Sequence, residues 1–283
     1  MNWSYEGKTA WVTGASSGIG EALALALSKR DAQVILSGRN IAELERVAGA
    51  CAGKALVLPF EATDYAALPG VAAQALAWRG GVDILINNAG VSQRSLALDT
   101  AFETYRRLME VDFFAPLRLT QLVLPSMVER RSGHISVISS VAGKVGTVLR
   151  TGYCAAKHAC VGYFDALRAE VEKAYGVSVS VVLPGSVKTG VARNALLGDG
   201  GPRGRSDDNI DNGMEPAQVA EIILDAIAAG QREIPVAEGL EAAAMAMRVQ
   251  APEKLFDLLA EQGAALAAAR ASGATAEPPR VKS

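Results

Sequence analysis

The chain predicts a doubly wound α/β fold: a mostly parallel sheet of about seven strands, helices on both faces, one domain. Three observations predict it. Short apolar runs alternate with helical patterns along most of the length. The runs are near-continuous in Val, Ile and Leu, as in strands buried on both faces. The least ordinary residues fall where those runs end, in TGASSGIG, SGRN, NNAG, SS and LPG. In open α/β sheets, ligands bind outside the carboxyl ends of the strands.

The elements follow in order. KTAWVTG (8–14) is a strand, followed by a helix over 18–30. QVILSG (33–38) and KALVLPF (54–60) are strands, with helices over 40–53 and 64–78 after them. Pro69 sits near the first turn of the second of these helices, where Pro is tolerated. VDILINNAG (82–90) is the fourth strand. A long helix covers about residues 100–131, with Pro116 and Pro125 expected to bend or break it. GHISVISS (133–140) is a strand, and a helix over 152–176 follows a loop. VSVSVVLPG (177–185) is the next strand, and REIPVA (232–237) a last short one. Between them a helix over 215–230 opens on Glu-Pro and ends at Gly230. The β-α-β-α order implies right-handed crossovers.

Two regions depart from the pattern. Residues 190–213 are Gly- and Asp-rich with little periodicity, the mark of a lid or a disordered loop. Residues 237–270 are Ala-rich and helical, and 271–283 read as a frayed tail. The expected organisation is one domain over 1–236, a helical extension of it over 237–270, and the tail.

Of the 283 residues, 50% are hydrophobic and 20% charged, enough for a sizeable core. A net charge of −2 gives no basic surface for nucleic acid. Three Cys and two His, without CxxC or HExxH spacing, argue against a metal site. Sparse cysteine fits a reducing compartment, so a cytoplasmic location is expected. The first residues lack a basic n-region followed by an apolar one, and no long uncharged apolar run occurs. Neither a signal peptide nor a membrane span is expected.

Two motifs carry chemistry. In TGASSGIG, Gly14, Gly18 and Gly20 follow the first strand directly. Glycines there let backbone N–H groups approach a pyrophosphate at a helix N-terminus. In TGYCAAKHAC, Tyr153 and Lys157 share one helix face. A free tyrosine titrates near about 10, and bringing one to about 7 takes roughly 4 kcal/mol. One cation at about 4 Å, at an effective dielectric of about 20, supplies about that much.

With NNAG (87–90) added, residues 7–235 resemble the short-chain dehydrogenase/reductase family. SSVAGKVG, AAKHA and LRAEVE look most like its branch of hydroxysteroid dehydrogenase-like and related membrane-associated reductases. The resemblance implies a Rossmann-type fold with a nicotinamide dinucleotide over the sheet's carboxyl edge. It implies hydride transfer between that cofactor and a carbonyl carbon, with Tyr153 giving or taking the proton. Ser140, thirteen residues before Tyr153, matches the family's catalytic serine, while Ser139 points to the other face. Lys157 tunes Tyr153 and holds the nicotinamide ribose. Ser16, Ser17 and Ile19 complete the glycine turn. Asn88, Ala89 and Gly90 pass under the ribose, while Asn87 ties strands together. Pro184 and Gly185 lie by the nicotinamide, Val187 offers backbone groups to its carboxamide, and Thr189 contacts a phosphate. Glu61, with Ala62, stands beside the adenine where the family usually has Asp. A dimer or tetramer through the helices at about 100–131 and 152–175 is also implied.

An acid at the end of the second strand serves NAD. Gly38 and Arg39 stand there instead, with Ser37 before them, so NADP(H) is expected and NAD(H) is the alternative. Asp112 departs from the family's usual Asn; it can accept hydrogen bonds and raise the Lys157 pKa, as a relay member or as a helix-kink residue. Cys154 and Cys160 are expected to be packed, and His134 and His158 to be structural. Gln93 and Arg94 line a substrate pocket or are loop residues. The C-terminal helices are expected to pack or to oligomerise rather than lie on a membrane. The expected activity is an NADP(H)-dependent interconversion of a carbonyl substrate and an alcohol. The alternatives are an NAD(H)-linked alcohol dehydrogenase and a non-catalytic NADP(H)-binding redox sensor.

Overall fold

The computed structural model describes residues 3–272. Seven parallel strands form one sheet in the order β3-β2-β1-β4-β5-β6-β7. They are β1 Thr9–Thr13, β2 Gln33–Ser37, β3 Ala55–Val57, β4 Ile84–Asn87, β5 Gly133–Ile138, β6 Val177–Pro184 and β7 Glu233–Val236. The order reverses beside β1, so β1 and β4 open the crevice at the carboxyl edge.

Alternation along each strand divides the core in two. Val12, Leu36, Ile86 and Val182 face one layer, formed by α1 Gly18–Lys29, α2 Ile41–Ala50 and α8 Pro216–Ala228. Trp11, Ile35, Leu85 and Val181 face the other, formed by α3 Leu68–Ala77, α5 Ala115–Glu129 and α6 Thr151–Tyr175. Helix α3 starts at Leu68 rather than 64, with Pro69 in its first turn.

The long helix expected over 100–131 is interrupted just before Pro116 and not at Pro125. It consists of α4 Phe102–Met109, a π-helical turn Glu110–Phe114, and α5. Pro116 follows the π-helical turn and lacks the N–H that would bond the Asp112 carbonyl, whereas α5 runs through Pro125. The irregularity falls on the segment that carries Asp112.

Helices α9 Gly239–Gln250 and α10 Pro252–Ala271 close the described chain; from 273 on, the expected tail lies outside the described residues. No described helix is long and apolar enough to cross a membrane. His134 on β5 is buried, within hydrogen-bond reach of the hydroxyls of Ser136, Ser178 and Ser180. Burial pushes its pKa down to about 4, so it is a neutral core residue at pH 7.

Candidate active site

The glycine turn after β1 is built by close approach. Gly14 and Gly18 have φ of +65° and +59°. A Cβ at Gly14 would lie 2.9 Å from Ala89 Cα, and one at Gly20 would overlap the Gly14 carbonyl oxygen. One at Gly18 would lie 2.9 Å from the Thr189 methyl. Ser17 begins α1 without capping it through its side chain. The first-turn N–H groups of Gly18, Ile19 and Gly20 thus have no partner inside the helix, next to the Ser16 and Ser17 hydroxyls. That is a fitting cradle for a dinucleotide's pyrophosphate.

Asn88 does the tying expected of Asn87. Its amide donates to the carbonyls of Thr13 (2.9 Å) and Gly14 (3.3 Å), and Thr13 Oγ1 accepts from the Asn88 and Ala89 N–H groups. Asn87 instead donates to Thr120 of α5 at 3.2 Å.

At the end of β2, Ser37 does not offer the hydroxyl contact expected of it. Its hydroxyl is fully buried, donates to Leu58 C=O at 2.7 Å and accepts from Trp11 Nε1 at 2.8 Å, so it is not at the cofactor edge. It points into the sheet face that Trp11 packs on. Arg39 is exposed, with its guanidinium 3.6 Å from the Glu61 carboxylate. Ala62 follows, half-buried.

The expected catalytic residues converge at the ends of β4 and β5. Ser140 is half-buried; its Oγ accepts from Ala142 N–H at 3.1 Å and donates to Pro184 C=O at 3.4 Å. Tyr153 is half-buried in the first turn of α6. Lys157, one turn on, is 4% exposed; its ammonium lies 5.6 Å from the Tyr153 ring centroid and donates to Ile138 C=O at 3.1 Å. Asp112, 1% exposed, places Oδ1 3.6 Å from that ammonium and accepts from Val91 N–H at 2.9 Å. Its Oδ2 is buried without a partner. Gly90 makes room: a Cβ there would lie 2.6 Å from Asp112 Oδ1.

Burial works against the Lys157 ammonium, but Asp112 and Tyr153 outweigh it and hold its pKa above the ordinary value. Burial pushes the Asp112 carboxyl up, against the pull of Lys157. With Oδ1 3.6 Å from the ammonium, Asp112 is the acid set against the lysine and not only a kink residue. Cys160 donates to the Asp112 carbonyl at 3.0 Å, and burial pushes its thiol up to about 11, which leaves it inert at neutral pH. Cys154 is buried and free, and His158 contacts the Cys154 carbonyl one helical turn back.

Gln93 and Arg94 are resolved as internal ties. Gln93 Oε1 accepts from the N–H groups of Gly152 (2.8 Å) and Tyr153 (3.3 Å). Arg94 makes a buried pair with Asp207, through Nε at 2.7 Å and Nη2 at 2.5 Å, and Arg203 also bonds Asp207. Burial works against the Asp207 charge, but the two arginines hold its carboxyl below the usual range. Leu196 adds backbone bonds to Ser92 and Arg94. The segment 190–213 is thus an ordered loop bonded to Ser92 and Arg94 after β4, and it contains the short helix α7 Asp208–Asp211.

The PGSVKTG segment is held from the C-terminal helices. Glu241 of α9 accepts from Ser186 N–H (2.6 Å) and Oγ (2.7 Å), beside Gly185. Met214 pairs with the Ser186 carbonyl and the Lys188 N–H, not with the N–H and C=O of Val187 between them. Leu255 of α10 packs with Val141 and Val145, just after Ser140. Sequence reasoning missed Glu241, Asp207 and the Ser139 hydroxyl, which donates to Lys157 C=O at 3.0 Å. All three act across long sequence distances and leave no local motif.

This sheet, glycine turn and Ser-Tyr-Lys grouping define a nicotinamide-dependent oxidoreductase. The model of the family described as short chain dehydrogenase matches residues 8–198, and the chain belongs to that family. Among its relatives is Dehydrogenase/reductase SDR family member 7B of Bos taurus, 37% identical over 260 residues, with 89% of this chain and 80% of that protein covered. Dehydrogenase/reductase SDR family member 7 of Homo sapiens is 42% identical over 204 residues, covering 70% and 60%. Among solved structures, a short-chain dehydrogenase from Streptomyces avermitilis superposes with a TM-score of 0.78 at 28% identity, covering 88% of this chain and 94% of that one. A family member from Burkholderia phymatum, in complex with NAD, shares the fold with a TM-score of 0.79 at 23% identity, covering 89% and 96%.

Proposed function

We propose that the chain is an NADP(H)-dependent enzyme that interconverts a ketone or aldehyde and an alcohol, with Tyr153 as general acid/base. The observation that carries this reading is the buried Lys157 ammonium, held between Asp112, the Tyr153 ring and the carbonyl of Ile138, two residues before Ser140.

The dinucleotide fits the glycine cradle. Gly14, Ser16, Ser17, Gly18, Ile19 and Gly20 would hold its pyrophosphate with Thr189. Ala89, Gly90 and the Asn88 backbone would hold its ribose with Lys157. Pro184, Gly185 and Val187 would face its nicotinamide. When bound, it supplies or accepts the hydride. The Tyr153 hydroxyl gives its proton to the substrate oxygen in reduction and takes one in oxidation. Ser140 Oγ–H turns from Pro184 C=O to donate to that same oxygen. Lys157 favours the phenolate that results. Asp112 balances the lysine charge and fixes its position through Val91. NADP(H) over NAD(H) is supported by Arg39, whose exposed guanidinium is free to grip a 2′-phosphate in place of Glu61. Three free thiols support a cytoplasmic setting, and a homodimer or homotetramer through α5 and α6 belongs to the same reading.

The test is a panel of ketones and aldehydes with NADPH, run on wild type and Tyr153→Phe. The variant should lose about 10²- to 10⁴-fold in kcat while keeping its thermal stability. Retention of most of the turnover would end the acid/base assignment.

A further inference from the structure

Helix α6 begins without a cap of its own. Arg150 holds the capping position and makes no side-chain hydrogen bond there. Yet Gly152, in the first turn, is buried, so its N–H must find an acceptor outside the helix. That acceptor is Gln93 Oε1, which also takes the N–H of Tyr153. Gln93 is fully buried and comes from the loop after β4, 60 residues from Tyr153.

The geometry is specified from both sides. The Gln93 amide nitrogen donates to Ser95 Oγ (3.0 Å) and Thr100 Oγ1 (3.2 Å). A flipped amide would aim N–H at N–H, so the carbonyl oxygen is the end that faces the helix. Leu149, with φ +65°, adopts a conformation rare for a side-chain-bearing residue, and its carbonyl accepts from Ser95 N–H at 3.0 Å. Gly152 lets the two segments meet: a Cβ there would lie 2.7 Å from Leu108 Cδ1 and 3.2 Å from Gln93 Oε1.

We propose that Gln93 is the positioning residue for Tyr153, a cap supplied by the loop after β4 that holds the backbone from which the reacting hydroxyl projects. This rests on the reading of Tyr153 as the acid/base. Lys157 has anchors of its own in Ser139, Ile138 and Asp112. Tyr153 lies in the turn that frays first, so loss of the cap displaces Tyr153 and leaves Lys157 in place.

The experiment compares wild type, Gln93→Leu and Gln93→Glu as full chains. Amide exchange is read at Gly152, Tyr153 and Lys157, together with kcat, KM and NADPH affinity. Gln93→Leu should speed exchange at Gly152 and Tyr153 by about fivefold or more, with Lys157 unchanged. It should lower kcat by about 10²-fold and leave KM and NADPH affinity within about twofold. Gln93→Glu still offers an acceptor to both N–H groups and should recover most of the protection and of kcat. Unchanged exchange at 152 and 153 overturns the proposal, as does kcat loss in step with NADPH affinity, or loss of thermal stability alone. Should Gln93→Leu not fold, Gln93→Asn, too short to reach the helix, carries the same test. Turnover retained by Tyr153→Phe would remove the acid/base reading separately, while the exchange data still report the cap.

Discussion

The two ends of the carboxyl edge are made differently. Around Tyr153, the supporting groups Gln93, Arg94, Asp112, Lys157 and Asp207 are all buried and bonded. After β2, Arg39 and Glu61 meet at 3.6 Å with side chains 66% and 45% exposed. Proton transfer requires atoms held in place, and misplacement by about 1 Å can cost about 10²-fold. Recognition of a phosphate by a solvated cation tolerates motion and is screened by salt. The first end should therefore couple to folding, and the second should not.

The largest break in that contrast is Asp207→Asn. It leaves three nearby guanidiniums, Arg94, Arg150 and Arg203, without their counter-charge. Stability should fall by about 3–5 kcal/mol, read from urea midpoints. An unchanged midpoint would mean that the 190–213 segment is not tied into the fold. Next comes acid. His134 sits near about 4 in the folded chain and about 6.5 unfolded. Between those values only the unfolded state binds the proton. Stability is therefore full above about pH 6.5 and is lost as pH falls toward 4, by about 3 kcal/mol in all. Urea titrations at pH 7 and pH 4.5 should show the drop, and His134→Gln should flatten it. This sets the range in which the site can be compared without loss of the fold.

Within that range, Asp112→Asn sharpens the reaction end. The amide oxygen still accepts from Val91, but the charge opposing Lys157 is gone. With that charge removed, the kcat–pH profile should move to lower pH. A profile that stays in place would show that Asp112 carries no charge there. The smallest effect is at the far end. Arg39→Ala should reduce the preference for NADPH over NADH by about tenfold, with the urea midpoint unmoved. An unaltered preference would remove the NADP assignment.

Much of this was legible in the sequence because it is local. Val/Ile/Leu runs give buried strands, and positive-φ glycines mark the turn at 14–18. Tyr153 and Lys157 share a face through helical spacing alone. What was not legible depends on partners far along the chain. The pinning of 190–213 needs Arg94 to find Asp207, 113 residues away. Ser37 looked available because strand-end position says nothing about which face a hydroxyl takes, and Trp11 decides that. A cation near a phenol is only part of the charge balance, because Asp112 stands 3.6 Å from the Lys157 ammonium, 45 residues away in the chain. Pro116 marks the helix break, but no residue type announces that the break takes the form of a π-helical turn.

The grip of Glu241 on Ser186 has a practical consequence. It makes α9 a handle on the loop at Gly185. A shortened version ending near 236 would keep every signature residue and still lose the strut under Gly185. A dye on α9 would sit one side chain away from the loop at Gly185, a natural place to read out ligand binding by fluorescence.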